Sequence, residues 1–464
     1  MYINYHVFKY GNRYFVFSKT LFDYDEINAK QYDWLKKHES EEEIQIDKQL
    51  ELDRTDSYFN HRKIKFLEDN NFTTGYFSFP PSHRCNLRCR YCFADGGENY
   101  QDIKKDFNQE DIYQICKFMM HEFLPNANSY KLDFASGGEP LLNQQFLFNS
   151  LVRMKENFEK NDKKLMIWLC TNGTCKDIDI VKKLSHLGVQ IGISLDGDEK
   201  LQNEIRVYKN GAGTYQDVIN FINHIQTSQD IKRISKQLWG LAVISTKTHS
   251  LVELHNHHKN IGFQSLQMKP VRLSKENDLS FNKHNLGHLK EIVSEYLDFL
   301  YDKVKENVFQ DIMMIANEND FIGKLFLRII NQTPITMRCY AGRAKVSIAA
   351  NGKVYPCDSF IGNEEFCLGD IWNGLDSDKR NLFFHQNVDN KKTCQNCWIK
   401  YICGGDCYHN SYVNNGRIDE PDSVLCEVNI HIVEEIIVFI CNLQRDHDKQ
   451  YRTLKRLLKM RSNL

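Results

Sequence analysis

Two periodicities organise the chain. Near the start, Tyr5-His6-Val7-Phe8-Lys9-Tyr10 and Arg13-Tyr14-Phe15-Val16-Phe17-Ser18 flank Gly11-Asn12, which predicts a β-hairpin. A third short strand is expected from Thr20 to Tyr24, and helical patterns follow at Ala29 to His38 and Tyr58 to Glu68. Together they predict a small β/α unit over residues 1–73. From residue 74 to 310 strand-like runs alternate with helical patterns. Strands are predicted at Thr74–Phe79, Lys131–Ala135, Leu165–Cys170, Gln190–Leu195, Gln237–Ile244 and Ser265–Pro270, with helices between them, such as Asp111–Phe123 and Gln145–Phe158. Six βα units predict an α/β protein whose parallel sheet curls into an open, partial (β/α)6 barrel. Such folds place chemistry at the carboxyl ends of the strands.

Composition narrows the classes. At 464 residues there is room for two or three domains, and a net charge of −1 points to neither nucleic acid nor an anionic membrane as partner. The start, Met1-Tyr2-Ile3-Asn4-Tyr5-His6, lacks the apolar core of a signal peptide, and no apolar run reaches membrane-spanning length. A cytoplasmic protein is expected. In that reducing compartment 15 cysteines favour metal ligation over disulfides.

The chemistry begins at Cys85-x3-Cys89-x2-Cys92, after the apolar run Tyr76-Phe77-Ser78-Phe79-Pro80. Three thiolates at this spacing can hold three irons of a [4Fe–4S] cube and leave the fourth open to a non-protein ligand. Zinc is the plain alternative, although it favours four ligands in paired motifs. The loop, with aromatic Tyr91 before its last cysteine and a strand in front, resembles the radical S-adenosylmethionine (SAM) superfamily. There SAM chelates the open iron and is cleaved to a 5′-deoxyadenosyl radical.

Later strand ends fit that resemblance. After the second comes Ser136-Gly137-Gly138-Glu139-Pro140, with glycines for close backbone approach and a carboxylate suited to the SAM amino group. Thr171-Asn172-Gly173-Thr174 ends the third, where the family borders its SAM pocket. Ser194-Leu195-Asp196-Gly197 ends the fourth; Ser194 suits the ribose and Asp196 the shape of the loop, and a helix cap is the alternative. Arg206 lies downstream, and the resemblance implies a pairing with the SAM carboxylate; a surface arginine is the plain alternative.

The last third carries Cys339, then Gly352-x4-Cys357, then Cys394-x2-Cys397-x5-Cys403-x3-Cys407, and Cys426. This order matches the SPASM domain of radical SAM enzymes, and a pair of zinc sites is the alternative. The resemblance implies two auxiliary [4Fe–4S] clusters, three in all. Cys394, Cys397, Cys403 and Cys426 would close one. Cys339, Cys357 and Cys407 would hold the other, with its fourth position left to a substrate thiolate, Cys367 or a non-cysteine ligand. Asp358, in Tyr355-Pro356-Cys357-Asp358, is similar to a base in sulfatase-maturing enzymes; a turn hydrogen bond is the alternative. Cys116, Cys170 and Cys441 read as buried apolar residues.

The expected organisation is a peptide-recognition-like, winged-helix-like module (1–73), a radical SAM partial barrel (74–310), a helical linker (311–335), a SPASM domain (336–430) and a C-terminal helix (431–464). Leu21-Phe22-Asp23-Tyr24-Asp25-Glu26-Ile27, Tyr32-Asp33-Trp34-Leu35 and Tyr91-Cys92-Phe93-Ala94-Asp95-Gly96-Gly97 are similar to segments of thioether-forming peptide maturases. The first reading is therefore an enzyme that links a cysteine sulfur to a carbon of another residue. Its substrate would be a ribosomally made precursor peptide held by its leader, and its reductant a flavodoxin or ferredoxin. Carbon–carbon cross-linking, formylglycine formation and a non-catalytic iron–sulfur or zinc protein are the alternatives.

Overall fold

The computed structural model describes residues 2–19, 22–39, 44–45, 72–100, 103, 106–134, 137–228 and 238–462. The helix expected at Tyr58–Glu68 and the start of the third strand lie outside them. The chain forms two compact units: residues 1–68, 281–338 and 387–464 make one, and residues 69–280 and 339–386 the other.

In the first unit β1 (Tyr5–Tyr10), β2 (Arg13–Ser18) and β3 (Asp23–Ile27) form an antiparallel meander. The helix Ala29–Lys37 follows, started by a capping box between Asn28 and Gln31. Period-2 alternation gives the sheet two apolar faces. Tyr5, Val7, Val16 and Ile27 pack with Leu35 of the helix. On the other face Phe8 stacks on Phe15, and His6 and Phe8 lie 4.5 and 5.9 Å from the ring of Trp398.

The single helix expected over 431–464 is instead two, Ser423–Asp446 and Asp448–Ser462. Asp422 starts the first, earlier than expected, by accepting the Val424 amide at 3.1 Å. At His447 the backbone leaves helical values (φ −143°, ψ 47°). The helix before that break buries a broad apolar face, whereas the helix after it buries a narrow stripe of Tyr451, Leu454 and Leu458.

The second unit is built on β4 (Thr74–Ser78), β5 (Ser129–Phe134), β6 (Lys164–Thr171), β7 (Gln190–Ser194), β8 (Trp239–Ile244) and β9 (Ser265–Pro270). All six are parallel and lie in sequence order. Helices intervene as expected, although the one predicted from Asp111 to Phe123 runs from Gln109 to Phe118 and ends in a wider turn over Met119–Phe123. The sheet does not close on itself. Beyond β4 it continues with β10 (Lys345–Ile348), also parallel, and then with short antiparallel strands to Leu375. This is the open (β/α)6 architecture.

The two faces of this sheet differ. Phe77, Leu132, Phe134, Ile167, Leu169, Ile191 and Ile193 are buried on the helix side. Alternate positions carry Tyr76, Ser78, Lys131, Asp133, Trp168, Cys170, Ser194 and Lys269. A parallel sheet buried on both faces reads as nearly continuous apolar strands. Here the inner face mixes charged and hydroxyl groups with aromatic and aliphatic ones such as Tyr76, Trp168, Leu241 and Val243, a mixture suited to a ligand.

Candidate active site

The cysteine loop leaves β4 through Pro80 and is fixed at several points. Leu87–Cys89 pairs antiparallel with Arg206–Tyr208, which sets Cys89 opposite Arg206. Gly97 has φ +96°, and a Cβ there would lie 1.9 Å from the His83 carbonyl, so only glycine lets the loop fold back on itself. Cys85, Cys89 and Cys92 are all half-buried. The Leu87 amide points at Cys85 Sγ at 3.4 Å, and Asn172 Nδ2 lies 4.0 Å from it. Burial pushes the Cys89 thiol up to about 12 and the Cys85 thiol upward as well. Bound cations would offset that penalty and stabilise the thiolates.

The other expected residues surround the loop, except Ser136, which lies outside the described residues. Gly137 has φ +90°. A Cβ on Gly138 would stand 2.1 Å from the Ser82 carbonyl and 2.8 Å from that of Arg84. The Glu139 amide donates to the Arg84 carbonyl at 2.9 Å, so this turn is clamped to the start of the cysteine loop. Gly138→Ala should displace that clamp, lowering SAM affinity at least about tenfold, about 1.4 kcal/mol, in equilibrium dialysis.

Glu139 is buried. Its Oε1 accepts Thr171 Oγ1 (2.7 Å) and the Leu141 amide (3.0 Å), and its Oε2 accepts the Asn172 amide (2.7 Å). Burial nonetheless raises its carboxyl above the usual range. Asn172 binds Asn86 Oδ1 at 2.9 Å and accepts from Thr174. Asn86 thus joins the third strand end to the cysteine loop, a contact that spacing alone does not reveal. Ser194 is buried with its hydroxyl 3.5 Å from Cys170 Sγ.

Asp196 has structural partners. Its Oδ2 accepts the Tyr91 hydroxyl at 2.7 Å, its Oδ1 accepts the Val243 amide at 3.0 Å, and Arg206 Nη1 lies 3.9 Å away and also bonds Tyr91. Burial pushes the Asp196 carboxyl upward against the pull of Arg206. Arg206 is therefore a buried group paired to the fourth strand end, not a surface arginine. Its Nε is buried with no hydrogen-bond partner. A buried guanidinium N–H without an acceptor fits an anionic group such as the SAM carboxylate.

On the inner face Asp358 is held by two hydroxyls. Ser347 Oγ donates to it at 2.7 Å and Ser78 Oγ also donates, while the two hydroxyls are 2.6 Å apart. Tyr100, with its hydroxyl buried and without a hydrogen-bond partner, feels the charges of Asp358, Cys92 and Cys357. His83 accepts the Ala350 amide on Nε2 (3.3 Å), so its Nδ1 carries the proton that points to the Gly137 carbonyl (3.1 Å). None of the motifs points to Asp133, Lys345, Tyr100 or His83, whereas Met268-Lys269-Pro270 is expected, as the end of the sixth strand, to line the adenine pocket or fill the core. The signal available for Asp133 is a charged residue at an alternate position of its strand.

Of the later cysteines, Cys394, Cys397, Cys403 and Cys426 lie in the first unit. Burial, and then the neighbouring charges of Cys403, Asp406, Cys394 and Cys397, raise Cys426, so the four share one electrostatic neighbourhood. Asn429 Nδ2 and Arg338 Nη1 point at Cys403 Sγ at 3.6 and 3.8 Å. Cys407 precedes the helix Tyr408–Asn415 in that unit, whereas Cys339 and Cys357 belong to the barrel unit. Cys116, Cys170 and Cys441 are buried. Among the described residues no three His, Cys, Asp or Glu side chains converge as one metal ion requires. None of the described helices is long and apolar enough to cross a membrane.

Comparison with known proteins agrees with this geometry. Residues 79–232 match the radical SAM superfamily model, and residues 339–398 match the SPASM iron–sulfur cluster-binding domain. A cysteine-type anaerobic sulfatase-maturating enzyme of Clostridium perfringens is 23% identical over 340 residues, 71% of this chain and 87% of that one. The structure of native anSMEcpe with bound AdoMet and Cp18Cys peptide superposes with a TM-score of 0.63 at 20% identity, covering 80% of this chain and 99% of the other. Streptococcus suis SuiB bound to its precursor peptide SuiA gives a TM-score of 0.50 at 16% identity, covering 91% and 99%.

Proposed function

We propose that this chain, which belongs to the radical SAM superfamily and carries a C-terminal SPASM domain, forms a thioether between a cysteine sulfur and a carbon of another residue in a ribosomally made precursor peptide. The observation that carries this reading is the separate sheet and helix over residues 5–37. Such a unit offers strand edges to which a peptide leader can add. The likeness to SuiB with its precursor, which extends over 91% of this chain, supports it. The absence of a second cysteine in Tyr340-Ala341-Gly342-Arg343-Ala344-Lys345 counts against formylglycine chemistry.

Cys85, Cys89 and Cys92 would hold the SAM-binding [4Fe–4S] cluster, and Cys394, Cys397, Cys403 and Cys426 an auxiliary one. Gly137, Gly138, Glu139, Asn172 and Ser194 would line the SAM pocket, with Tyr91 and Asp196 holding Arg206 for its carboxylate. Bound there, the cofactors supply a 5′-deoxyadenosyl radical able to abstract hydrogen from an unactivated carbon. The chain's own residues then have defined tasks. The buried strand ends exclude water from the radical's surroundings. Asp358, oriented by Ser78 and Ser347, would take the proton of the substrate thiol as its sulfur bonds to the carbon radical, and the one electron left over would pass to an auxiliary cluster held by the C-terminal cysteines. A cytoplasmic location and a flavodoxin or ferredoxin donor complete the proposal.

The test is anaerobic co-expression with a short cysteine-containing peptide encoded beside the gene, read by mass spectrometry. A loss of two hydrogens per link, with a cysteine that no longer alkylates, supports thioether formation. The same loss with a free thiol points to carbon–carbon cross-linking, and an unmodified peptide counts against the leader-dependent reading. Asp358→Asn should cut product on the order of 10²–10⁴-fold, while release of 5′-deoxyadenosine continues.

A further inference from the structure

The register of the barrel strands brings charge together on the inner face. Lys345 of β10 lies beside Tyr76 of β4, and Tyr76 beside Lys131 of β5. Two residues further along each strand, Ser347, Ser78, Asp133 and Trp168 form the neighbouring row across β10, β4, β5 and β6. Lys269 enters the same interior from β9, next to Val243.

Two of these charged groups have protein partners. Lys131 lies over the rings of Tyr76 and Trp168 at 5.3 and 5.4 Å. Asp358 is held by the two serine hydroxyls. The other three are Asp133, Lys269 and Lys345. They stand within electrostatic reach of one another, and among the described residues their side chains form no hydrogen bond or close ion pair. All three are half-buried. An ammonium group partly withdrawn from water gains from a directly bound carboxylate, which neither lysine has among the described residues.

We infer that the barrel interior receives a carboxylate of the substrate between Lys269 and Lys345, which makes these lysines specificity residues for an acidic peptide. The inference rests on the peptide-modifying reading above. It commits to the carboxylate group, whose source is an aspartate or glutamate side chain or a peptide C-terminus. Asp133 has the opposite effect: it repels the incoming group and keeps the two lysines from closing the interior with an unspecific anion. Arg206, tied to Asp196 and facing the cysteine loop, serves the cofactor end.

The test uses full-length, cluster-loaded enzyme with SAM bound, in isothermal titrations with capped amino acids. None of these probes needs a leader, so the outcome is independent of whether any precursor is modified. N-acetyl-L-aspartate amide should bind about tenfold or more tighter than N-acetyl-L-asparagine amide. N-acetylglycylglycine reports on a terminal carboxylate; tight binding of it alone supports the inference with the terminus as source. Lys269→Met/Lys345→Met should erase the preference, and Asp133→Asn should strengthen aspartate binding, a gain that misfolding would not give. Equal binding of all probes, or a preference that survives the double lysine variant, overturns the inference. So does a double variant that loses SAM binding, because the lysines would then serve the cofactor.

Discussion

Cys89→Ala, reconstituted anaerobically and reduced with dithionite, releases no 5′-deoxyadenosine above the enzyme-free control. The expectation follows from the placement of that residue. Cys89 is the member of the loop fixed by strand pairing, opposite Arg206, and its thiol is the one that burial pushes up to about 12. A thiol held so far from its charged form is a poor nucleophile and a costly anion unless iron compensates it. With two thiolates left, the loop should no longer retain its cluster. Iron content should then fall by the share of that one cluster, which is about one third if Cys339, Cys357 and Cys407 hold a second auxiliary cluster beside the one proposed above. Chromatography of the nucleosides and a colorimetric iron assay check both halves. Unchanged 5′-deoxyadenosine would place the radical centre elsewhere, and a collapse of iron to near zero would mean that the clusters do not load independently.

The second large effect is expected at Arg206. Arg206→Met removes the cation beside Asp196 and leaves a buried carboxylate with only the Tyr91 hydroxyl and the Val243 amide for support. Breaking one side of a buried ion pair costs about 3–5 kcal/mol, because the remaining charge is stranded. Thermal unfolding under anaerobic conditions should show a marked drop. The double variant Asp196→Asn/Arg206→Met should recover part of that loss, since no uncompensated charge is left. Stability separates the two roles of the arginine: the double variant should be stable and yet bind SAM weakly, because Nε, the atom without a protein acceptor, is gone. If the double variant bound SAM normally, Arg206 would be structural alone.

The six barrel strands were legible because each is a short segment with apolar residues at least at every second position, spaced one helical pattern from the next, and their observed limits lie within two residues of the expected ones wherever they are described. The cysteine loop and the Gly137-Gly138 turn were legible for a different reason: thiolate spacing and glycine each have few other uses. The pairing of Arg206 with Asp196 and Tyr91 was not, since it joins residues up to 115 positions apart through burial that no local pattern encodes. The charged inner face was half legible. Lys131 and Asp133 alternate with Tyr130 and Leu132 in plain view, but which alternate face is inward depends on the whole sheet. The break at His447 was missed because apolar spacing continues through it, and only the backbone reveals the change of direction.

Trp398 has a practical consequence. It directly follows Cys397, and its ring lies 4.5 Å from that of His6 and 5.7 Å from that of Phe17. The N-terminal sheet and the cysteine-rich segment therefore share one hydrophobic seam, and Tyr10 and Arg13 extend it by bonding Glu435 and Asn442 of the long helix. A module fastened in this way cannot be exchanged like a cartridge. Swapping residues 5–37 for a foreign sheet would uncover the indole beside Cys397. If the sheet holds a leader as proposed, its exposed positions are the ones to alter while His6, Phe8 and Phe17 stay in place.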